Sequence, residues 1–299
     1  MSDHVSKSPL LLLIVLTLIS LGVYLIVPNV YLLIGALITG VDLSSLMTAM
    51  QQEGPQPLYQ NLFLVVQALA AGTSFILVPF LFVKYYEKED FSEIISYEGE
   101  NFVNIILIAA MTIVFMIVNS PFIEWNMNVQ FPEGLHEKLR LMEDMAEKAT
   151  KFLTHFYSLP YFLASVIVIA IIPALGEELL FRGMIQRYWM KIFSNPHVAI
   201  WVTALAFSAF HLQFFGFLPR MLLGALFGYV YFYSGNLWYA VAAHFTNNAF
   251  TILMLYLYQQ GITEIDIEST DSIPWSTVLV FTLIGVFLFG FFVKRVQKR

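Results

Sequence analysis

Long apolar runs separated by short polar connections make up most of this 299-residue chain. Eight of them, at about 9–39 with a break at Pro28, 61–83, 102–119, 160–190, 196–214, 219–234, 237–258 and 275–293, predict helices. Roughly 20 helical residues cross a hydrocarbon core about 30 Å thick. The pattern therefore predicts an all-α polytopic transmembrane helix bundle of about eight spans. One connection departs from it: GLHEKLRLMEDMAEKATKF, at 134–152, places Leu135, Leu139, Met142, Met145, Ala146 and Ala149 near one helical face. That spacing predicts an amphipathic helix lying in the membrane interface. No repeat or low-complexity tract divides the chain, so residues 1–299 read as a single membrane domain.

Composition sharpens this picture. The chain is 59% hydrophobic and 12% charged, which makes the lipid bilayer its main surrounding. It has no cysteine, so disulfides, thiolate nucleophiles and cysteine-held metal are excluded together. Net charge is -6, and the one basic tract is the C-terminal Lys294, Arg295, Lys298 and Arg299, which leaves nucleic acid nothing extended to bind. The first apolar run starts at Leu10 after a single Lys and lacks an Ala-x-Ala cleavage site, so it reads as a retained span.

Orientation follows from the basic residues of short loops, which gather on the cytoplasmic side. Lys84, Lys88, Arg187, Lys191 and the C-terminal basic group are expected inside. The connection after the first span has no Lys or Arg, and the one before the last span carries Glu264, Asp266, Glu268 and Asp271; both are expected outside. Both termini are then cytoplasmic, in an inner or plasma membrane. The loop 120–159, placed outside, fits less well, since it holds Lys138, Arg140, Lys148 and Lys151 among six acids.

Ionisable groups inside a span cost a few kcal/mol each on insertion scales, so they mark function or an internal partner. Span four carries Glu177, Glu178 and Arg182 within PALGEELLFRGMIQR, span five His211 within AFSAFHLQ, and span seven His244, Asn247 and Asn248 within AVAAHFTNNAF. Glu178 and Arg182 stand at i and i+4, where side chains meet on a helix, and read as a structural ion pair. Glu177 is turned about 100° away and has no such partner. His244 and Asn248, again i and i+4, face one way. With a turn near Ser194, Glu177 and His211 fall at matched depth on antiparallel helices. Gly224 and Gly228 offer a small-residue surface for close helix packing. His4, His136, His155 and His197 read as solvated or helix-end residues. The stretch His136–Arg140, HEKLR, lacks the second histidine of the zinc-protease helix.

Taken in order, Glu177-Glu178-x-x-x-Arg182, Phe207-x-x-x-His211 and His244-x-x-x-Asn248 resemble the three motifs of the CAAX protease and bacteriocin-processing (Abi) family. The resemblance covers about 160–255 and marks that stretch as the catalytic core. It implies an α-helical intramembrane endopeptidase related to enzymes that trim prenylated CAAX proteins, without a cofactor. It further implies Glu177 as general base, His211 as its partner in activating water, and His244 with Asn248 as oxyanion donors. The family includes bacteriocin-immunity and protein-sorting members, so the resemblance leaves the peptide or protein substrate open. Two other readings stay open on the residues themselves. Glu177, His211 and His244 are also a ligand set for Zn, with water in the fourth position. A non-catalytic binding or immunity protein, or a transporter with an acid-imidazole relay, would keep the same groups without catalysis.

Overall fold

The computed structural model describes residues 7–52, 54, 56–95, 101–265 and 273–297. His4, Asp266, Glu268, Asp271, Lys298 and Arg299 lie outside the described residues. Every regular element among the described residues is helical. In chain order they are α1 (Pro9–Thr39), the short α2 (Leu43–Ala49), α3 (Pro57–Glu87), α4 (Phe102–Met127), α5 (Glu133–Leu153), α6 (Leu159–Ile192), α7 (Pro196–Ala209), α8 (Phe217–Ser234), α9 (Leu237–Gln259) and α10 (Trp275–Val296), with a single turn at Ser92–Ile95. Six of these, α1, α3, α4, α6, α9 and α10, are long and apolar enough to cross a membrane. With the shorter α7 and α8 they make up the eight elements that the hydrophobic pattern predicts.

Proline shapes the long helices without ending them. Pro28 lies inside a continuous α1, so the break expected there is absent. A break would leave backbone groups without partners in hydrocarbon, whereas continuing the helix forfeits only the bond Pro28 cannot donate. In α3 and α6 the turn ahead of the proline is π-helical, Thr73–Leu77 before Pro79 and Val166–Ile171 before Pro173. In α4 the carbonyl of Ile117, four residues before Pro121, accepts from Ser120 Oγ at 2.9 Å.

Three apolar clusters hold the bundle. One joins α1, α3, α6 and α7 through Leu16, Phe82, Phe181 and Phe207. A second joins α4, α8, α9 and α10 through Ile108, Phe227, Ala240 and Phe292. A third joins α3, α6 and α9 through Leu64, Val168 and Ile252. Glycine permits the closest approaches. A Cβ on Gly176 would stand 2.7 Å from Phe75 Cβ, which brings α3 hard against the turn of α6 that carries Glu177.

Helix α7 stops at Ala209, five residues before the boundary expected at 214. Its 14 residues span about 21 Å at 1.5 Å per residue, short of the roughly 30 Å hydrocarbon core. Leu212, at φ 55°, turns the chain, and α8 starts at Phe217. The non-helical stretch 210–216 buries Phe210 and Phe215 while Leu212 stays exposed, and its backbone finds protein partners. Asn126 Nδ2 donates to Phe214 O at 3.0 Å, Leu218 N donates to Asn126 Oδ1 at 2.7 Å, and Phe215 N donates to a Glu143 carboxylate oxygen at 3.3 Å.

That turn also explains α5. The amphipathic helix forms as expected, but its apolar face divides. Leu135, Met142 and Met145 point outward, while His136, Leu139, Arg140, Glu143, Ala146 and Ala149 lie closer to the bundle. The inward side is partly polar because it closes over the 210–216 turn, with the Arg140 guanidinium 3.6 Å from the centroid of the Phe215 ring.

Candidate active site

Two adjacent acids on α6 have different fates. Glu178 is fully buried, and its Oε1 accepts from Arg182 Nη1 at 2.7 Å and from His244 Nδ1 at 2.8 Å. Arg182, also fully buried, donates through Nη2 to the carbonyl of Gly224 at 2.7 Å. One turn further on, Gln186 Nε2 donates to the carbonyl of Gly228 at 3.1 Å. The i, i+4 pair of polar side chains on α6 is thus bolted to the i, i+4 pair of glycines on α8. Glycine is needed there, since a Cβ on Gly228 would stand 2.8 Å from Gln186 Oε1 and 2.9 Å from Ile200 Cγ2.

Glu177 is the other acid. It is partly accessible, and among the described residues its carboxylate makes no hydrogen bond or ion pair. It stands in the electrostatic field of His244, Glu178, Arg182 and Arg220. The pairing of Glu178 with Arg182 and the unpaired state of Glu177 both follow the helical spacing. The carboxylate of Glu178, not of Glu177, is the one that holds His244.

Both imidazoles are oriented through Nδ1. The His211 Nδ1–H donates to the carbonyl of Phe207 at 3.0 Å, and a carbonyl can only accept, so in the neutral ring Nε2 is left as an acceptor. His211 occupies the turn after α7 rather than the helix itself. His244 has its Nδ1 on a carboxylate, which leaves Nε2 facing away from Glu178. Its ring stacks on Phe227, centroids 5.2 Å apart at 20°, and meets Phe207 edge-on at 5.8 Å. Phe207 also packs edge-on against His211 at 5.3 Å. One aromatic side chain therefore touches both histidines. Glu177 and His211 share His244 and Arg220 as electrostatic neighbours.

Asn248 lies one turn beyond His244 on α9 and is tied to α6 through backbone. Its Nδ2 donates to the carbonyl of Ile169 at 3.2 Å, four residues before Pro173, where the missing proline N–H opens that acceptor. Its Oδ1 accepts from Asn247 Nδ2 at 3.0 Å. An amide nitrogen has two N–H groups, so one donor of Asn248 remains.

No three His, Cys, Asp or Glu side chains among the described residues stand together so as to hold a metal ion, and Glu177, His211 and His244 do not form such a set as they stand. Two surface cavities of about 750 and 790 Å³ lie elsewhere, and neither is lined by Glu177, His211, His244 or Asn248.

Sequence reasoning missed four residues here. Arg220, in the first turn of α8, donates to Gln213 Oε1 at 3.1 Å, and Gln213 Nε2 in turn donates to Glu143 at 3.2 Å. Tyr24 of α1 stands in the field of both Glu177 and Arg220. Arg220 was legible as one more ionisable group in an apolar run. Glu143 and Gln213 were not, since on an interfacial helix and in a loop they look like ordinary solvated residues.

Residues 159–250 match the model of the family described as type II CAAX prenyl endopeptidase Rce1-like. That stretch contains all three motifs and bears out the family resemblance they carry. A curated relative, the uncharacterized protein YpbD of Bacillus subtilis (strain 168), is 30% identical over 88 residues, which cover 28% of this chain and 42% of that protein. The chain thus spans less than half the length of the relative it matches. No solved structure matches the chain.

Proposed function

We propose, on the premise that residues 159–250 belong to the Rce1-like family of type II CAAX prenyl endopeptidases, that this chain is an intramembrane endopeptidase that uses Glu177 to activate water. The observation that carries the proposal is the division of labour between adjacent acids. Glu178 is consumed by Arg182 and His244, whereas Glu177 is partly accessible and unpaired among the described residues. Peptide hydrolysis needs a base for water and donors aimed at the tetrahedral oxygen.

In this reading Glu177 takes the proton of the attacking water, and the lone pair of His211 Nε2 accepts the water's other hydrogen and orients it. His244 and Asn248 supply the oxyanion donors. With its Nδ1–H committed to Glu178, His244 turns Nε2 away from that carboxylate and donates from it to the oxyanion when the ring carries a proton on both nitrogens. The remaining N–H of Asn248 is the second donor. Phe207, packed edge-on against both imidazoles, helps to fix their orientation.

The substrate is a peptide segment within or at the bilayer. In this reading both termini are cytoplasmic, and the gathering of Lys7, Lys88, Arg187 and Lys191 around one cavity supports that side for the N-terminus.

Replacing Glu177 by Gln keeps shape and removes the base. General-base catalysis contributes about 10² to 10⁴ in rate, so cleavage of a membrane-anchored reporter peptide should fall by that much while the detergent-solubilised protein keeps its unfolding temperature. Undiminished cleavage would end the proposal. Activity that disappears with chelator and returns with Zn, in wild type whose Glu177 is intact, would transfer the role of water activation to a metal.

A further inference from the structure

Arg220 is a charged group of the bundle interior that the proposed chemistry leaves without a role. It differs from Arg182 in one respect that matters. Arg182 has a carboxylate at 2.7 Å. Arg220 has no ion pair among the described residues, and both of its hydrogen bonds go to Gln213, Nη2 to the side-chain oxygen at 3.1 Å and Nη1 to the backbone carbonyl at 3.5 Å. These are neutral acceptors. A guanidinium carries five N–H donors, so three stay uncommitted.

The acid nearest by connection, Glu143, is already engaged by Gln213 Nε2 at 3.2 Å and by Phe215 N at 3.3 Å. The chain also makes room for the guanidinium: a Cβ on Gly216 would stand 2.8 Å from Nη2 and 3.4 Å from Cζ. Around this group stand Glu143, Glu177, Tyr24 and His211, and Gln213, which holds it, lies two residues after His211 in the same turn. Among the described residues no carboxylate bonds this arginine directly, and its planar fork fits one with two parallel bonds.

We propose that Arg220 binds a carboxylate of the peptide substrate and thereby fixes which bond lies against Glu177. Two sources share that chemistry, the C-terminal carboxylate of a chain cut near its end and an Asp or Glu side chain. The inference rests on the peptidase reading above. It assigns Arg220 to specificity and not to the chemical step.

The test uses full-length protein in detergent and one lipid-anchored, fluorescence-quenched peptide in three forms: free C-terminal acid, C-terminal amide, and C-terminal amide with a Glu near the end. A charge-assisted bidentate contact of this kind discriminates by roughly 10- to 100-fold. Wild type is expected to favour one carboxylate form over the plain amide by that factor in kcat/KM, and the form favoured identifies the source. Arg220→Gln should bring the ratio to about one, and Arg220→Lys, which keeps charge but loses the fork, should give an intermediate ratio. Gly216→Ala displaces the guanidinium without removing it and should also lower the ratio, which covers the case in which Arg220→Gln does not fold.

A wild type that treats all three peptides alike, or an Arg220→Gln protein that keeps the preference, overturns the inference while the peptidase reading stands. If wild type cleaves none of them, the peptidase reading fails, and fluorescence anisotropy of the same peptides decides the rest. Tighter binding of a carboxylate form that is lost in Arg220→Gln supports carboxylate recognition, and equal binding of all forms overturns it.

Discussion

Helices α6 and α10 are almost equally apolar in sequence, yet 39% of the most apolar stretch of α6 is buried in the bundle against 11% of that of α10. In water such a difference would be written in the apolar residues themselves. In hydrocarbon it is not, because lipid tails receive a leucine as well as a protein core does. What separates the two helices is their polar content. Helix α6 buries Glu178, Arg182 and Gln186 completely, while α10 turns Leu279, Leu283, Val286 and Phe287 outward. Polar groups with partners therefore mark the inside of this bundle, and the family match falls on the polar helices and not on α10.

The strongest way to break this comparison is to remove one charge from the interior of α6. Arg182→Met deletes the cation and leaves Glu178 buried with only His244 as partner. Removing one member of a buried pair costs about 3–5 kcal/mol, so the variant should unfold at clearly lower temperature or denaturant concentration in detergent. The double variant Glu178→Leu with Arg182→Met should recover part of that loss, since replacing both members with apolar groups of similar size is often nearly neutral. Unchanged stability in the single variant would mean that α6 is not held by its polar side chains.

A smaller and sharper comparison uses glycine. Gly228 of α8 lies under Gln186 and Ile200, where an added methyl would meet atoms at 2.8 and 2.9 Å, whereas Gly290 of α10 has nothing within 4 Å. Gly228→Ala should cost about 1–3 kcal/mol through overpacking. Gly290→Ala should be neutral or stabilising by up to about 1 kcal/mol through helix propensity alone. Equal effects at the two sites, read from unfolding of the two proteins, would remove the distinction between the fastened and the lipid-facing helix.

The same distinction shows what was legible in the sequence. The eight apolar runs gave the helices, since span length is set by bilayer thickness, and the i, i+4 rule paired Glu178 with Arg182 and left Glu177 unpaired. The attachment of His244 to Glu178 could not be read that way, because it depends on how α9 is rotated against α6. Nor could the early end of α7. No Gly or Pro stands at 210–212, yet Leu212 takes a left-handed conformation, and Asn126, Glu143 and Ser208 bond the backbone that follows it at Phe214, Phe215 and Phe217. The role of Pro173 was hidden for a related reason: a freed carbonyl matters once a residue such as Asn248, 79 positions away, is there to take it.

The smallest expected effect tests the outer side of the comparison. Leu283 of α10 is 72% exposed. In a bilayer its side chain meets lipid in the folded bundle and in the separated helix alike, so its contribution to packing cancels. Leu283→Ala should change stability by no more than about 0.5 kcal/mol, the range of substitutions away from any packed contact. A loss above about 1 kcal/mol, measured in lipid nanodiscs or detergent at matched protein concentration, would show that this face is covered by protein. Helix α10 would then belong to an interface, and its low burial would describe a single copy rather than the working assembly.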